Sequence, residues 1–168
     1  KENNKNTVSD KRSAKEESDS TESEESSEKT TDYDAAIYSE GDLLLSGSGS
    51  LTVEGGYEDG IHSKTSLTVE SGEYKITASH HGLNGKKTLT VKDGTFDITT
   101  VEDALHSKGD VSVENGKITM NAGDDALHAD NTLTVKDGTI DIQKSNEGLE
   151  GITVNVEGGN ISIQSSDD

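Results

Sequence analysis

Acids and histidines recur along this chain in a fixed pattern. Glu58–Asp59, Glu102–Asp103 and Asp124–Asp125 are adjacent carboxylate pairs, and His62, His106 and His128 each follow the second acid by three residues. Other copies of the phrase carry His80–His81 with Asn84, and Asn146–Glu147 with Glu150. Carboxylates on neighbouring loops, with backbone carbonyls nearby, are the hard oxygen donors that suit Ca²⁺. The expected ion ligands are therefore Asp59, Asp103, Asp125, Glu58, Glu102, Asp124 and Glu147. Imidazole suits a softer metal or a contact with a polar ligand. His62, Asn84, His106 and His128 are the expected ligand contacts, with Tyr57 as an aromatic platform. The competing reading is a solvated polar edge that fixes no ion.

Such residues need elements that hold them in line, and the sequence supplies a repeat. Leu67, Leu89, Val111 and Leu133 are 22 residues apart, as are Gly72, Gly94, Gly116 and Gly138, and Leu83, Leu105, Leu127 and Leu149. Each unit has three pieces. The first is a short alternating run such as LTV, closed by a turn such as KDG whose Gly can take positive φ. The second is a run such as TFDIT. The third is HGLN, DALH, DALH or EGLE. Asp42–Ser63 is an earlier copy with two extra residues, and Val154–Ile163 is a final copy one residue short.

Period-two alternation with Gly turns is strand writing, and no segment has helical period. Three short strands per 22 residues predict one coil of a right-handed parallel β-helix, each coil resting on the last at ~4.8 Å. The chain should hold about five to six such coils. Leu67, Val69, Ile76, Leu83, Leu89, Val91, Phe96, Ile98, Leu105 and their equivalents should face a narrow core. A leucine-rich repeat has a similar period, but its L-x-x-L-x-L-x-x-N pattern is absent.

Composition agrees with this reading. Only 27% of residues are hydrophobic, with 18 glycines and no Pro, Cys or Trp. A layered core would be hard to build, whereas a thin stacked column would not. Without Cys there is no disulfide, thiolate ligand or thiol nucleophile. The net charge of −19 opposes nucleic-acid binding and an anionic membrane surface. No apolar run is long enough to insert in a bilayer. Residues 1–33 are almost wholly Lys, Glu, Ser, Asp, Asn and Thr, which predicts a disordered acidic linker before a β-helix domain over 34–168.

The units DGIHSKTSLTVESGEYKITA (Asp59–Ala78) and DALHSKGDVSVENGKITMNA (Asp103–Ala122) resemble the clostridial carbohydrate-binding parallel β-helix domain, whose relatives have the pectate-lyase-like fold. DAAIYSEGDLLLSGSGSLTV (Asp34–Val53) is similar to that family's entry segment. The resemblance covers about Asp34 to Ile163. It implies a secreted or surface-attached protein that binds plant cell-wall polysaccharide, cellulose or polygalacturonate, and carries Ca²⁺ at Asp59, Asp103 and Asp125. His81 and Glu147 depart from the family's Asp position, and Ala104 and Ala126 from its Gly position.

Catalysis is not expected. A lyase needs a strong base beside Ca²⁺, and the one Arg, Arg12, lies in the acidic segment. Lys64, Lys86, Lys87 and Lys108 lie near the acids but read as surface residues. A glycoside hydrolase needs two differentiated carboxylates across a sugar ring, and nothing distinguishes two here. A non-catalytic binder needs only a long face of repeated polar groups. The alternative class is a structural surface stalk with inert columns.

Overall fold

The computed structural model describes residues 4–10 and 35–166. Among them every element is a strand and every strand pairing is parallel. The chain winds as a β-solenoid with three faces, as its 22-residue period predicts.

The first face comprises Leu43–Leu45, Ser66–Val69, Thr88–Val91 and Asp110–Val113. The second is a seven-stranded sheet of Lys5–Asp10, Ser50–Gly55, Glu73–Ala78, Thr95–Thr100, Lys117–Asn121, Thr139–Ser145 and Asn160–Ser165. The third comprises Ala35–Ser39, Asp59–Ser63, Leu83–Gly85 and Leu105–Ser107. In the last coils the first and third faces join, because Leu127–Val135 and Leu149–Val156 run through the corner unbroken.

The period fixes the register. Leu67, Leu89, Val111 and Leu133 are direct neighbours on the first face, and Ile76, Ile98, Met120 and Ile142 on the second. All eight are buried, as are Leu83, Leu105 and Leu127 behind the third face. The rings of Tyr74 and Phe96 stack with centroids 4.9 Å apart. Each buried Leu, Ile or Phe removes enough apolar surface to contribute about 2 kcal/mol, and only against the coils above and below. The expected core residues are those observed.

The turns between the first and second faces need glycine. Gly72, Gly94, Gly116 and Gly138 have φ of 126°, 134°, 122° and 113°. They stack one above another, so each coil turns at the same height.

Besides the two extra residues of Asp42–Ser63, local departures from strict repetition occur in the later coils. The strand Thr139–Ser145 bulges between Ile142 and Ser145, although the sequence spacing there is unbroken. The one-residue deletion in the last copy falls between Ala129 and Thr132 on its neighbour. A third observation corrects the linker. Lys5–Asp10, expected to be disordered, pairs in parallel with Ser50–Gly55 and sets Val8 beside Val53. An edge strand is held mainly by backbone hydrogen bonds, so a nearly all-polar segment can serve. The remainder of the expected linker lies outside the described residues.

Candidate functional site

The third face turns its conserved-period polar residues into rows. Asp59, His81, Asp103 and Asp125 are buried beneath one row, while Glu147 at its end is half-exposed. His62, Asn84, His106, His128 and Glu150 form the neighbouring row, each paired with the next coil. Small residues sit between the rows. A Cβ on Gly82 would lie 2.6 Å from the Ala104 carbonyl and 2.8 Å from Ile98 Cγ2. The backbone therefore leaves no room for a side chain at that position.

Asp59 is a saturated anion. Its Oδ1 accepts from His80 Nδ1 at 2.8 Å and the His81 amide at 3.1 Å. Its Oδ2 accepts from His62 Nδ1 and Asn84 Nδ2, both at 2.8 Å. A carboxylate offers about four lone-pair sites, and all are used. Burial raises its pKa, but the hydrogen bonds from His62 and His80 outweigh this and hold it far below the usual range. Asp59 thus anchors the face, and its oxygens are committed to protein donors.

His80 bridges two acids. Its Nδ1 faces Asp59 and its Nε2 lies 2.8 Å from Glu102 Oε2, so both nitrogens donate and the ring is an imidazolium. The Asp59 hydrogen bond raises its pKa accordingly. Glu58 stands 3.8 Å from the same ring. The acids expected to act as adjacent pairs, Glu58–Asp59 and Glu102–Asp103, are therefore split, with the outer member of each turned to His80.

His81 and His106 are neutral. Their rings stack with centroids 4.1 Å apart and planes 9° from parallel. Burial pushes His81 down to about 3 and His106 down to about 4. His106 Nδ1 donates to Asn84 Oδ1 at 3.3 Å, while His81 Nδ1 has no hydrogen-bond partner.

The C-terminal end of the face is acidic. Asp103 accepts the Asp125 amide at 3.0 Å, yet burial lifts its carboxyl to about 6. Asp125 is lifted further, to about 9, by burial and by the carboxylates of Glu150 and Glu147. His128 Nδ1 lies 3.0 Å from Asp125 and 2.9 Å from Glu150, and its Nε2 lies 3.2 Å from Asp130. Asp124, Asp125 and Glu147 can each bring an oxygen within 4.8 Å of the others. This donor set fits Ca²⁺, which takes multiple carboxylate and carbonyl oxygens.

Like charges need not stack in this fold. At the corner between the first and second faces, the equivalent positions alternate in sign: Glu70, Lys92, Glu114, Lys136. Lys92 reaches Glu70 at 3.2 Å and Lys136 reaches Glu114 at 2.9 Å. The row Asp103, Asp125, Glu147 of the third face has no lysine in it, only the His128 ring beside Asp103 and Asp125. It concentrates an electrostatic cost of ~1 kcal/mol per pair in water, and more where water is excluded.

At the N-terminal end the same face holds a groove of about 380 Å³, lined by His62, His80, His81, Asn84 and His106, by Lys64, Lys86 and Lys108, and by the carboxylates of Glu58 and Asp59. The three lysines are one row, 22 residues apart, ending where Asp130 takes the fourth place. They are exposed, as expected, and they border the groove. Tyr57, the expected platform, lies half-exposed in the turn before Asp59 and outside the groove lining.

A family profile described as "Carbohydrate-binding domain-containing protein" matches residues 1–168. The chain belongs to that family. Among solved structures, this carbohydrate-binding domain is similar to the polysaccharide lyase-like protein from C. thermocellum, determined as a gadolinium derivative, with a TM-score of 0.66 and 27% identity. The match covers 83% of this chain and 57% of that one, so the domain spans little more than half of its neighbour's length. No curated protein matches the domain.

Proposed function

We propose that the third face is a non-catalytic binding surface for acidic polysaccharide of the polygalacturonate type, assisted by Ca²⁺ and working outside the cell. The observation that carries this is the lysine row beside a groove in a protein of net charge −19. Lys64, Lys86 and Lys108 are spaced by single coils along one line, which suits carboxylates repeated along a polymer. Lys64 is paired with Glu40 at 3.0 Å at the head of the row, which leaves Lys86 and Lys108 as its exposed cations.

Ca²⁺ would be held by Asp124, Asp125 and Glu147. Its charge would relieve the repulsion that lifts the Asp125 carboxyl. His62, Asn84 and His106 would present fixed polar atoms to the sugar, because Asp59 orients His62 and Asn84, and Asn84 orients His106. No proton transfer is needed. Asp59 is saturated by donors, and the lysines lie beside imidazoles with no carboxylate pair marked as acid and base.

The test is affinity electrophoresis through polygalacturonate, with Ca²⁺ and with EDTA. Retardation is expected with Ca²⁺, reduced by EDTA and by Lys86→Ala in a chain that still folds. Equal mobility in both gels would sink the proposal. Appearance of unsaturated uronide product on incubation would instead favour a lyase, the reading that the structural neighbour's description supports.

A further inference from the structure

We propose that His81, Asp103 and His106 form a binding site for a borderline transition-metal ion, with Zn²⁺ as its natural probe, separate from the carboxylate cluster at Asp124–Asp125–Glu147. One donor atom from each of the three lies within 4.8 Å of the other two, and all three residues are buried. His81 is 7% exposed and its Nδ1 is buried without a hydrogen-bond partner. That atom stands 3.4 Å from Asp103 Oδ2, off the hydrogen-bonding axis. Donors bound to tetrahedral zinc at 2.0–2.1 Å stand about 3.3 Å apart, so this pair already has the separation that the ion requires.

His106 is prepared on its far side. Asn84 donates through Nδ2 to Asp59, which leaves Oδ1 facing His106 Nδ1. The amide oxygen only accepts, so Nδ1 carries the proton and Nε2 keeps a lone pair. A hydrogen bond from the non-ligating nitrogen is how proteins fix the tautomer of a metal-binding histidine. Asp59 and Asn84 are thus positioning residues for this site. Rotation of the His81 ring out of its 4.1 Å stack on His106 would close the set and leave the His106–Asn84 contact in place.

The neighbouring clusters are weaker candidates for a metal that prefers imidazole. Asp59, His80 and His81 also converge, but the Asp59 oxygens are committed and His80 donates from both nitrogens. His128 faces carboxylates with both nitrogens, and Asp130 is exposed. Two histidines and a carboxylate favour Zn²⁺, Co²⁺ or Ni²⁺ over Ca²⁺. They leave a coordination position open, as three-ligand zinc sites do. His81 and His106 both line the groove, so that position is reachable from solvent.

The experiment is calorimetric titration of the full chain with Zn²⁺ in buffer containing excess Ca²⁺, which occupies the oxygen sites. One Zn²⁺ per chain is expected. Affinity should fall at least about tenfold in His81→Gln, His106→Gln and Asp103→Asn, and stay within about twofold in His80→Gln and His128→Gln. Co²⁺ bound to the wild-type chain should give strong visible absorption from a four- or five-coordinate nitrogen-containing site, a readout that does not depend on any variant folding. Absence of Zn²⁺ binding above the Ca²⁺ background would overturn the proposal. So would affinity that tracks His80 or His128, or a weak Co²⁺ spectrum typical of six oxygen ligands.

Discussion

Asp59 and Asp125 occupy the same position in coils three repeats apart, and the sequence gives them the same neighbours to the eye. Their environments differ because His80 and Asn84 follow Asp59 on the next coil, whereas Asn146, Glu147 and Glu150 follow Asp125. Asp59→Asn should destabilise the fold by about 3 kcal/mol, since it leaves His80 and Asn84 facing a group that cannot accept all four hydrogen bonds. Urea denaturation at pH 7 measures it. The effect should shrink as pH falls below about 4, because a carboxylate whose folded pKa is depressed stabilises only above its unfolded value. Asp125→Asn should do the opposite. A carboxyl held well above its usual range keeps a proton that the unfolded chain releases, so the wild-type fold loses stability as pH rises above about 4. Without Ca²⁺ the variant should be more stable at pH 7 by at least about 1 kcal/mol. With Ca²⁺ the order should reverse, as the wild type gains a melting-temperature increase that the variant lacks. A wild type insensitive to Ca²⁺ in thermal melts would remove this acid cluster as the ion site. The histidine network was legible in the sequence only as spacing. Which acid each ring faces depends on ring reach across coils, which a column of letters does not carry.

At the scale of elements, the strands and turns were readable almost in full. Alternation sets which residues face inward, and the fixed interval sets which neighbours they meet, so Leu67, Val91, Phe96 and Ile118 could all be placed before any coordinates. The turn glycines were readable for the same reason. Gly94 has φ of 134°, and a Cβ there would lie 3.0 Å from the Gly72 carbonyl and the Phe96 ring. Gly94→Ala should therefore cost about 1–2 kcal/mol in chemical denaturation, where Lys92→Ala at the same corner should cost about 0.5 kcal/mol. A cost for Gly94→Ala no greater than for Lys92→Ala would show that the turn relaxes freely. The bulge after Ile142 was not readable, because the chain makes it without inserting a residue between repeats. The lysine row was visible in the letters but had no reason to be singled out until the histidines beside it enclosed a groove.

At the scale of the molecule, stability is a sum of coil-on-coil contacts, so the ends are weaker than the middle. Lys5–Asp10 covers one end by pairing with Ser50–Gly55. Its composition hid this, since a backbone ladder asks little of side chains. Removing residues 1–10 should raise amide exchange in Ser50–Gly55 and leave Thr95–Thr100 protected, as hydrogen exchange would report. Equal protection in both strands would mean that the added strand does not stabilise the end. The last coil is more open: Ile152 is 83% exposed, and Val154, Val156 and Ile163 are also exposed.

The rows of the third face are not the same from one end to the other. Histidine and lysine crowd the earlier coils, and Asp124, Asp125, Asp130, Glu147 and Glu150 crowd the later ones. An axis with cations at its head and acids at its tail has a direction. A polymer chain also has a direction, since its two termini differ. Laid along this axis, a polymer would meet unlike surroundings in its two orientations, so a binder built this way would discriminate heading as well as composition. Enzymes or further domains joined to one end would then be delivered facing a chosen terminus of the polymer.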